Sequence, residues 1–207
     1  MSTGSFIAVE GPIGAGKTTL STMLSQELNI PLLKEIVEEN PFLGKFYDNI
    51  EEWSFQLEMF FLCNRYKQLE DTTTKYIQHG QQVISDYHIY KNLIFAQRTL
   101  SGVKWEKYRQ IYHILTGDLP KPDLIIYIRA DLQTLLKRIQ MRGRSFEQNM
   151  DTAYLEQLII DYDHAMASLA ESEPDTKIIT IDGNQIDFVT HREQFDLIVS
   201  EVKEYIK

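Results

Sequence analysis

A lysine and a threonine end a glycine-rich stretch near the start of this 207-residue chain. Residues 10–19 read EGPIGAGKTT, which fits the pattern G-x-x-x-x-G-K-[ST] directly after an apolar run. Glycines let backbone N–H groups surround phosphate oxygens, the lysine reaches terminal phosphates, and the threonine hydroxyl can bind Mg²⁺. The predicted nucleotide-binding residues are Gly11, Pro12, Ile13, Gly14, Ala15, Gly16, Lys17, Thr18 and Thr19.

Positive charge is concentrated in the stretch RIQMRGRSFE. Arg138 and Arg142 are four residues apart and so share one face of a helix, while Gly143 can end that helix and direct Arg144 to the same space. Phosphoryl transfer needs positive charge around the migrating group and protection from water. We expect a catalytic lid at about residues 138–149, with Arg138 on the nucleotide and the other two arginines in catalysis; a solvated basic helix end is the alternative.

Two carboxylates follow predicted strands: Glu35 after PLLK and Asp86 after QVIS. Open parallel sheets place their ligands at this end of the strands. A hydroxyl nucleophile needs a carboxylate that orients it and accepts its proton, and Mg²⁺ needs oxygen ligands. Either residue can be the base; Thr18 and Asp86 are the candidate metal ligands, directly or through water. The alternative is that each carboxylate caps the next helix.

Five short aliphatic runs alternate with longer stretches of helical periodicity. This alternation predicts a parallel sheet with crossover helices. The expected fold is therefore α/β: a P-loop NTPase three-layer sandwich whose five-stranded parallel sheet is flanked by helices and carries the arginine lid. No linker or repeat divides the chain, so residues 1–207 are predicted to form a single domain. The predicted strands are 6–10, 31–35, 82–86, 123–128 and 177–181.

Composition excludes several classes of protein. The net charge of −9 argues against a sequence-independent nucleic-acid binder, which needs a broad basic surface. No apolar run approaches the roughly 18 residues of a membrane span, and the early strand leaves no room for a secretory leader. The one cysteine, Cys63, fits a reducing cytosol and is expected to be a buried apolar residue. We expect a cytoplasmic protein that binds neither nucleic acid nor membrane.

Further motifs carry a family resemblance over nearly the whole chain. EIVEENPFLGKFY, WSFQLEMFFL, ISDYHIYKNLIFA, LPKPDLIIYI and RIQMRGRSFE follow the glycine-rich loop in order. Together they resemble the deoxyribonucleoside kinases, and specifically the purine deoxynucleoside kinases of Bacillus-like bacteria. The resemblance implies transfer of the γ-phosphoryl group of ATP, with Mg²⁺, to the 5′-hydroxyl of a purine deoxynucleoside in nucleotide salvage, first of all deoxyguanosine. It also implies a homodimer.

The resemblance assigns roles to individual residues. Glu35 would contact the 5′-hydroxyl as the candidate base. Tyr47 and Glu147 would bind the sugar 3′-hydroxyl. Gln56 would hydrogen-bond the edge of the base, because an amide offers both a donor and an acceptor, and Phe55 would border the base pocket.

Three positions depart from the family pattern. Where many members have an acid followed by Arg and Ser, this chain has Asp86 followed by Tyr and His, and Arg98 is a candidate substitute for the arginine. The purine kinases often place an arginine seven residues after the base-binding glutamine; here Cys63 holds that position, and a shifted register could bring in Arg65. Asn92 aligns with the family's second base-binding carboxylate. Guanine and adenine therefore both stay open.

Other functions remain as alternatives. A deoxyadenosine kinase or a broad deoxynucleoside kinase would keep the mechanism and change the base. A thymidylate-like monophosphate kinase shares the fold and lid, but the acidic EIVEEN would repel an acceptor phosphate. A non-catalytic nucleotide sensor would bind the nucleotide and form no ADP. The loop alone also fits GTPases and ATPase motors, but the chain has neither an Asn-Lys-x-Asp motif nor a second ATPase-like domain.

Overall fold

A parallel five-stranded sheet forms the centre of the protein. The computed structural model describes residues 4–36, 40–144, 147 and 150–206. The strand order is β2-β3-β1-β4-β5, and all neighbours are parallel. This confirms the predicted sheet, although the second and third strands are shorter than expected. The strands are β1 (Phe6–Glu10), β2 (Leu32–Leu33), β3 (Val83–Ser85), β4 (Leu124–Arg129) and β5 (Lys177–Asp182).

Helices connect the strands, as a parallel sheet requires. Within the described ranges, none of them is long and apolar enough to cross a bilayer. A short 3₁₀ helix, Ile77–His79, precedes β3. The α-helices are α1 (Lys17–Leu28), α2 (Leu43–Asp48), α3 (Ile50–Lys75), α4 (Lys91–Thr99), α5 (Gly102–Thr116), α6 (Leu132–Arg142), α7 (Thr152–Ser172) and α8 (Arg192–Lys203).

Burial of the central strands explains their composition. All five residues of β1 and the first five of β4 are buried, so helices cover both faces of the sheet and an alternating pattern is absent. In the sheet, β1 lies between β3 and β4. The chain passes from β1 to β2 on one side and later crosses to β4 on the other side, so the crossover direction reverses next to β1. Open α/β sheets form a ligand crevice at such a point.

The long helix α3 buries two different faces. Asn49 caps its start by accepting a hydrogen bond from the Glu52 amide. On one face, Leu62 and Leu69 are fully buried in the core. A second face, defined by Leu57, Glu58, Phe61 and Arg65, is also buried and lines a cavity.

Cys63 lies on neither buried face of α3. The expectation that it is buried is wrong, because its side chain is exposed to solvent. Its neighbour Leu62 is fully buried, and one residue along a helix turns the side chain by about 100°. This thiol therefore contributes nothing to the core.

Candidate active site

A cavity of about 1270 Å³ opens at the carboxyl ends of the strands. One half is lined by the glycine-rich loop, the end of α6 and the loop after β5. The other half is lined by α2, the second face of α3 and the start of α4. Ligand sites for drug-sized molecules are commonly about 300–1,000 Å³. The cavity is therefore large enough for two small ligands placed end to end.

The glycine-rich loop has the backbone that its sequence predicts. Gly16 has φ 101°, in the left-handed region, immediately before α1 begins at Lys17. Gly11 has φ 151°, and a Cβ there would lie 2.6 Å from the Ile128 carbonyl oxygen. No other residue type fits Gly11 without displacing β4.

Most of this loop faces the cavity. The Nζ atom of Lys17 donates hydrogen bonds to the carbonyl oxygens of Gly11 (2.7 Å) and Pro12 (2.9 Å). Burial, together with the charge of Lys91, lowers the pKa of Lys17 to about 8. Gly11, Pro12 and Ala15 lie behind the residues that line the cavity, which are Ile13, Gly14, Gly16, Lys17, Thr18 and Thr19.

Asp86 joins the phosphate loop to the strand ends. Its Oδ2 accepts a hydrogen bond from the Thr18 hydroxyl at 2.8 Å, and its Oδ1 accepts from the Glu35 amide at 2.7 Å. Mg²⁺ is bound through oxygen ligands, commonly from protein side chains, water and phosphate. The Thr18 hydroxyl and the Asp86 carboxylate are oxygen ligands that lie side by side, so they fit the ion.

The Glu35 carboxylate lies between two cations. It accepts hydrogen bonds from Arg65 Nε (2.9 Å) and Nη2, and from Lys91 Nζ (2.9 and 3.1 Å). Although burial raises the pKa of the Glu35 carboxyl, Lys91 and Arg65 outweigh that effect and hold the pKa well below its ordinary value. Glu35 is therefore a fixed anion at the junction of the two halves of the cavity.

The missing arginine is not replaced by Arg98. Arg98 makes a bidentate ion pair with Asp161 (both 2.7 Å) and does not line the cavity. This expectation is corrected, because α4 directs Arg98 toward α7. On α4 it is Lys91, five residues after Asp86, that places a buried cation beside Glu35, in addition to Arg65 from α3.

Among the residues that the structure describes, Asn92 contacts the site through Arg65. Its Oδ1 accepts from Arg65 Nη1 at 2.8 Å, and its Nδ2 donates to the Tyr108 hydroxyl at 3.0 Å. It is completely buried and does not line the cavity. The expected contact between Asn92 and the base is therefore corrected to a contact with Arg65.

The three predicted arginines line the cavity from the last part of α6 and the residues after it. Arg138 donates to the carbonyl oxygens of Ala15 (2.9 Å) and Gly183 (2.8 Å), so it joins the phosphate loop to the loop after β5. Arg142 and Arg144 also line the cavity. Gly143 ends the helix with φ 68°, as expected. Residues 145, 146, 148 and 149 of the predicted lid lie outside the described part of the chain, and the lid stays a prediction.

Glu147 and Tyr47 line the same cavity, and the charge of Glu147 acts on the Tyr47 hydroxyl. Glu147 is buried and accepts hydrogen bonds from Arg142 Nη2 (2.5 and 2.6 Å) and Nε (3.2 Å). Burial, then the Glu147 charge, raises the pKa of the Tyr47 hydroxyl. Both residues line the cavity, so the structure brings the predicted 3′-hydroxyl pair together.

The register of α3 corrects the expectation for Phe55 and Gln56. Gln56 is exposed, Phe55 packs against the core under α4 and α5, and neither lines the cavity. At about 100° per residue, Gln56 points roughly opposite to Glu58. Arg65, seven residues after Glu58, returns to within about 20° of it. Glu58 and Arg65 therefore occupy the spacing that was expected for the base-binding pair.

Sequence reasoning missed two buried charged residues of the cavity, Glu58 and Lys91. The sequence does contain a signal for Glu58, since it lies seven residues before Arg65, which is the spacing expected of the base-binding pair. The signal for Lys91 is weaker, because a lysine at the start of a helix is usually solvated and gives no reason to expect burial. Both are buried, at 1% and 5% exposure, and both line the cavity.

The parallel sheet, the loop between β1 and α1, and the cavity at the strand ends define a P-loop NTPase fold. The family model described as Deoxynucleoside kinase matches residues 7–207. This chain belongs to the deoxynucleoside kinase family, as its sequence motifs predict, and is an enzyme of that family. Family membership favours this activity over the monophosphate kinase and sensor alternatives.

Individual relatives agree with this assignment. The deoxyguanosine kinase of Bacillus subtilis (strain 168) is 62% identical over 206 residues, covering 100% of both chains. The deoxyadenosine/deoxycytidine kinase of the same organism is 34% identical, covering 77% of this chain and 76% of its own. The structure of deoxyadenosine kinase from M. mycoides with bound dCTP has a TM-score of 0.81 at 26% identity, covering 96% of this chain and 99% of that chain.

Proposed function

We propose that this enzyme transfers the γ-phosphoryl group of ATP to the 5′-hydroxyl of deoxyguanosine. The observation that carries the proposal is the position of Glu35, which lies between the phosphate loop and the face of α3. A carboxylate there can accept a hydrogen bond from the 5′-hydroxyl and orient it toward the donor phosphate. The 62% identity to a deoxyguanosine kinase supports guanine as the base.

The donor half of the cavity supplies positive charge. The N-terminus of α1, Lys17 and Arg138 would bind the phosphates of ATP. Arg142 and Arg144 would stabilise the migrating group, from a lid whose closure excludes water. Lys91 would supply the charge that the family's arginine supplies after the strand-end acid.

Thr18 and Asp86 would hold Mg²⁺, with phosphate and water oxygens completing its coordination. The ion, when bound, neutralises charge on the transferred phosphoryl group. Because Asp86 already contacts the Thr18 hydroxyl, we assign Asp86 to this role and Glu35 to the base. The two carboxylates then have separate tasks.

The acceptor half would hold the nucleoside. Tyr47 and Glu147 would bind the 3′-hydroxyl, and Leu57 and Phe61 would contact the base. An acceptor that already carries a phosphate would meet the Glu35 anion at its reacting end.

Three further expectations belong to this proposal. A homodimer is supported by the outer face of α5, where Val103 and Ile114 are 70% and 78% exposed and lie eleven residues apart on one side of the helix. A single domain and a cytoplasmic location stay predictions. Analytical ultracentrifugation of the full chain would measure the oligomeric state.

The activity is tested by ADP release from Mg-ATP with separate acceptors. These are deoxyguanosine, deoxyadenosine, deoxycytidine, thymidine, dGMP and dTMP, with the product identified by mass. Turnover with deoxyguanosine well above the others supports the proposal. A preference for deoxyadenosine keeps the mechanism and overturns the base. Turnover only with monophosphates, or ATP binding without ADP, overturns the proposed reaction.

A further inference from the structure

Glu58 is a buried carboxylate that the phosphoryl transfer itself does not use. It is 1% exposed, lines the acceptor half of the cavity and lies about two helical turns from Arg65 on the same face of α3. Its Oε1 accepts a hydrogen bond from the Thr99 hydroxyl at 3.2 Å. A carboxylate has about four lone-pair sites, so acceptor capacity remains for a ligand.

The Arg65 guanidinium leans back along the helix toward Glu58. Its Cζ lies 4.5 Å from the centroid of the Phe61 ring, and Phe61 is only three residues after Glu58. Three of its five N–H groups donate to Glu35 and Asn92, and no hydrogen bond to another described residue uses the other two. A carboxylate and a guanidinium with free hydrogen-bonding capacity therefore line the same wall, with an aromatic ring between them.

Guanine matches this wall in its pattern of donors and acceptors. Its N1–H and 2-amino groups are adjacent donors, which a carboxylate accepts side by side, and its O6 and N7 are acceptors that arginine commonly contacts. Adenine instead presents an acceptor at N1 beside its 6-amino group. Opposite a carboxylate, adenine N1 would face an oxygen lone pair and form no hydrogen bond. An amide, which has both a donor and an acceptor, would suit adenine better.

We propose that the Glu58 carboxylate selects guanine by accepting hydrogen bonds from N1–H and the 2-amino group, while Arg65 donates to O6. The proposal rests on the proposed function and names the residues that decide its base. It replaces the expected amide, Gln56, by an anion two residues further along the helix. Thr99 is then a positioning residue, because it acts only through Glu58.

The test compares substrates on the wild-type enzyme before any substitution is made. 2′-Deoxyinosine has the N1–H and O6 of guanine and lacks the 2-amino group. We expect its kcat/KM to be about 10-fold or more below that of deoxyguanosine, because one charge-assisted hydrogen bond is lost. Equal kcat/KM for the two nucleosides would overturn the contact with the 2-amino group, without any question of folding.

The matched variants are Glu58→Gln in the cavity and Glu51→Gln on the exposed start of the same helix. Glu58→Gln should lower kcat/KM for deoxyguanosine about 10- to 100-fold and raise that for deoxyadenosine, whereas Glu51→Gln should change neither. Loss with both nucleosides by one common factor would show a structural role and overturn the proposal. If the wild-type enzyme phosphorylates neither nucleoside, the proposed function fails as well. If the wild type is active but Glu58→Gln has the same ratio of kcat/KM for deoxyguanosine to kcat/KM for deoxyadenosine, only the assignment of guanine selection to Glu58 fails.

Discussion

The hydroxyl of Thr18 donates a 2.8 Å hydrogen bond to Asp86, a residue 68 positions later in the chain. The other oxygen of the same carboxylate accepts from the Glu35 amide. One side chain therefore sets the distance between the phosphate loop and the candidate base. The parallel pairing of β1 with β3 brings Thr18 and Asp86 to the same edge of the sheet.

Asp86→Asn should lower kcat by about 100-fold or more and raise the Mg²⁺ concentration needed for half-maximal rate. An amide is a weaker ligand for a hard cation than a carboxylate. ADP release over a Mg²⁺ titration measures both effects, with exposed Asp118→Asn as the control. An unchanged Mg²⁺ dependence at reduced kcat would move Asp86 from the metal to a purely structural role.

Lys91→Met should reduce kcat by about 100-fold with little change in ATP affinity. The ammonium contacts Glu35 at 2.9 and 3.1 Å, and a cation preorganised at the reacting end of the cavity acts mainly on the transition state. Single-turnover kinetics and ATP titration separate the two quantities. Lys107→Met, on the exposed side of α5, is the matched control. A weaker affinity for ATP at unchanged kcat would contradict this role.

Arg98→Met should leave kcat nearly unchanged, because Arg98 pairs with Asp161 outside the cavity. Its cost is in stability: a partly exposed pair contributes about 0.2–1 kcal/mol to the free energy of unfolding. A double-mutant cycle with Asp161→Asn, followed by chemical denaturation, measures that coupling. A large loss of kcat with intact stability would return Arg98 to the position of the missing arginine.

Much of the fold could be predicted from the sequence because the relevant signals are local. The glycine-rich loop needs left-handed backbone at Gly16, and the strands β1 and β4 are continuous apolar runs. The positions of Glu35 and Asp86 follow from where their strands end. Only the parallel sheet was needed to bring these groups to one edge.

The acceptor half of the cavity could not be predicted as well. Its wall is one face of α3, and an error of two residues along a helix turns the side chain by about 200°. The resemblance therefore assigns the base contact to Gln56, which is exposed, whereas Glu58 lines the cavity. The direction of Arg98 and the burial of Lys91 depend on how α4 packs against α3 and α7, which no local pattern contains.

The base preference should depend on pH through Glu58. Burial raises the pKa of its carboxyl from 4.5 to about 7 in the free enzyme, against the lowering effects of Arg65, the Thr99 hydrogen bond and Lys91. Below pH 7 the Glu58 carboxyl is mostly neutral, and its O–H can donate a hydrogen bond to adenine N1. The neutral carboxyl has lost the negative charge that strengthens the hydrogen bonds from guanine N1–H and the 2-amino group. We therefore expect the kcat/KM ratio of deoxyguanosine to deoxyadenosine to fall as pH falls from 8 to 6. The Glu58 charge also acts on Arg65 and on the hydroxyls of Tyr47, Tyr108 and Tyr154.

The same shift predicts a stability difference in the free enzyme. A raised pKa means that the neutral carboxyl favours the folded state fully below about pH 4.5, and that this contribution is lost as pH rises through about 7. The Glu58→Gln variant has no carboxyl group to ionise at this position. The difference between its melting temperature and that of the wild type should therefore shift in favour of the variant as pH rises from 5 to 8. Calorimetry measures this difference, and the nucleoside ratio in Glu58→Gln should no longer change with pH. A ratio that still falls in the variant would assign the pH dependence to another group.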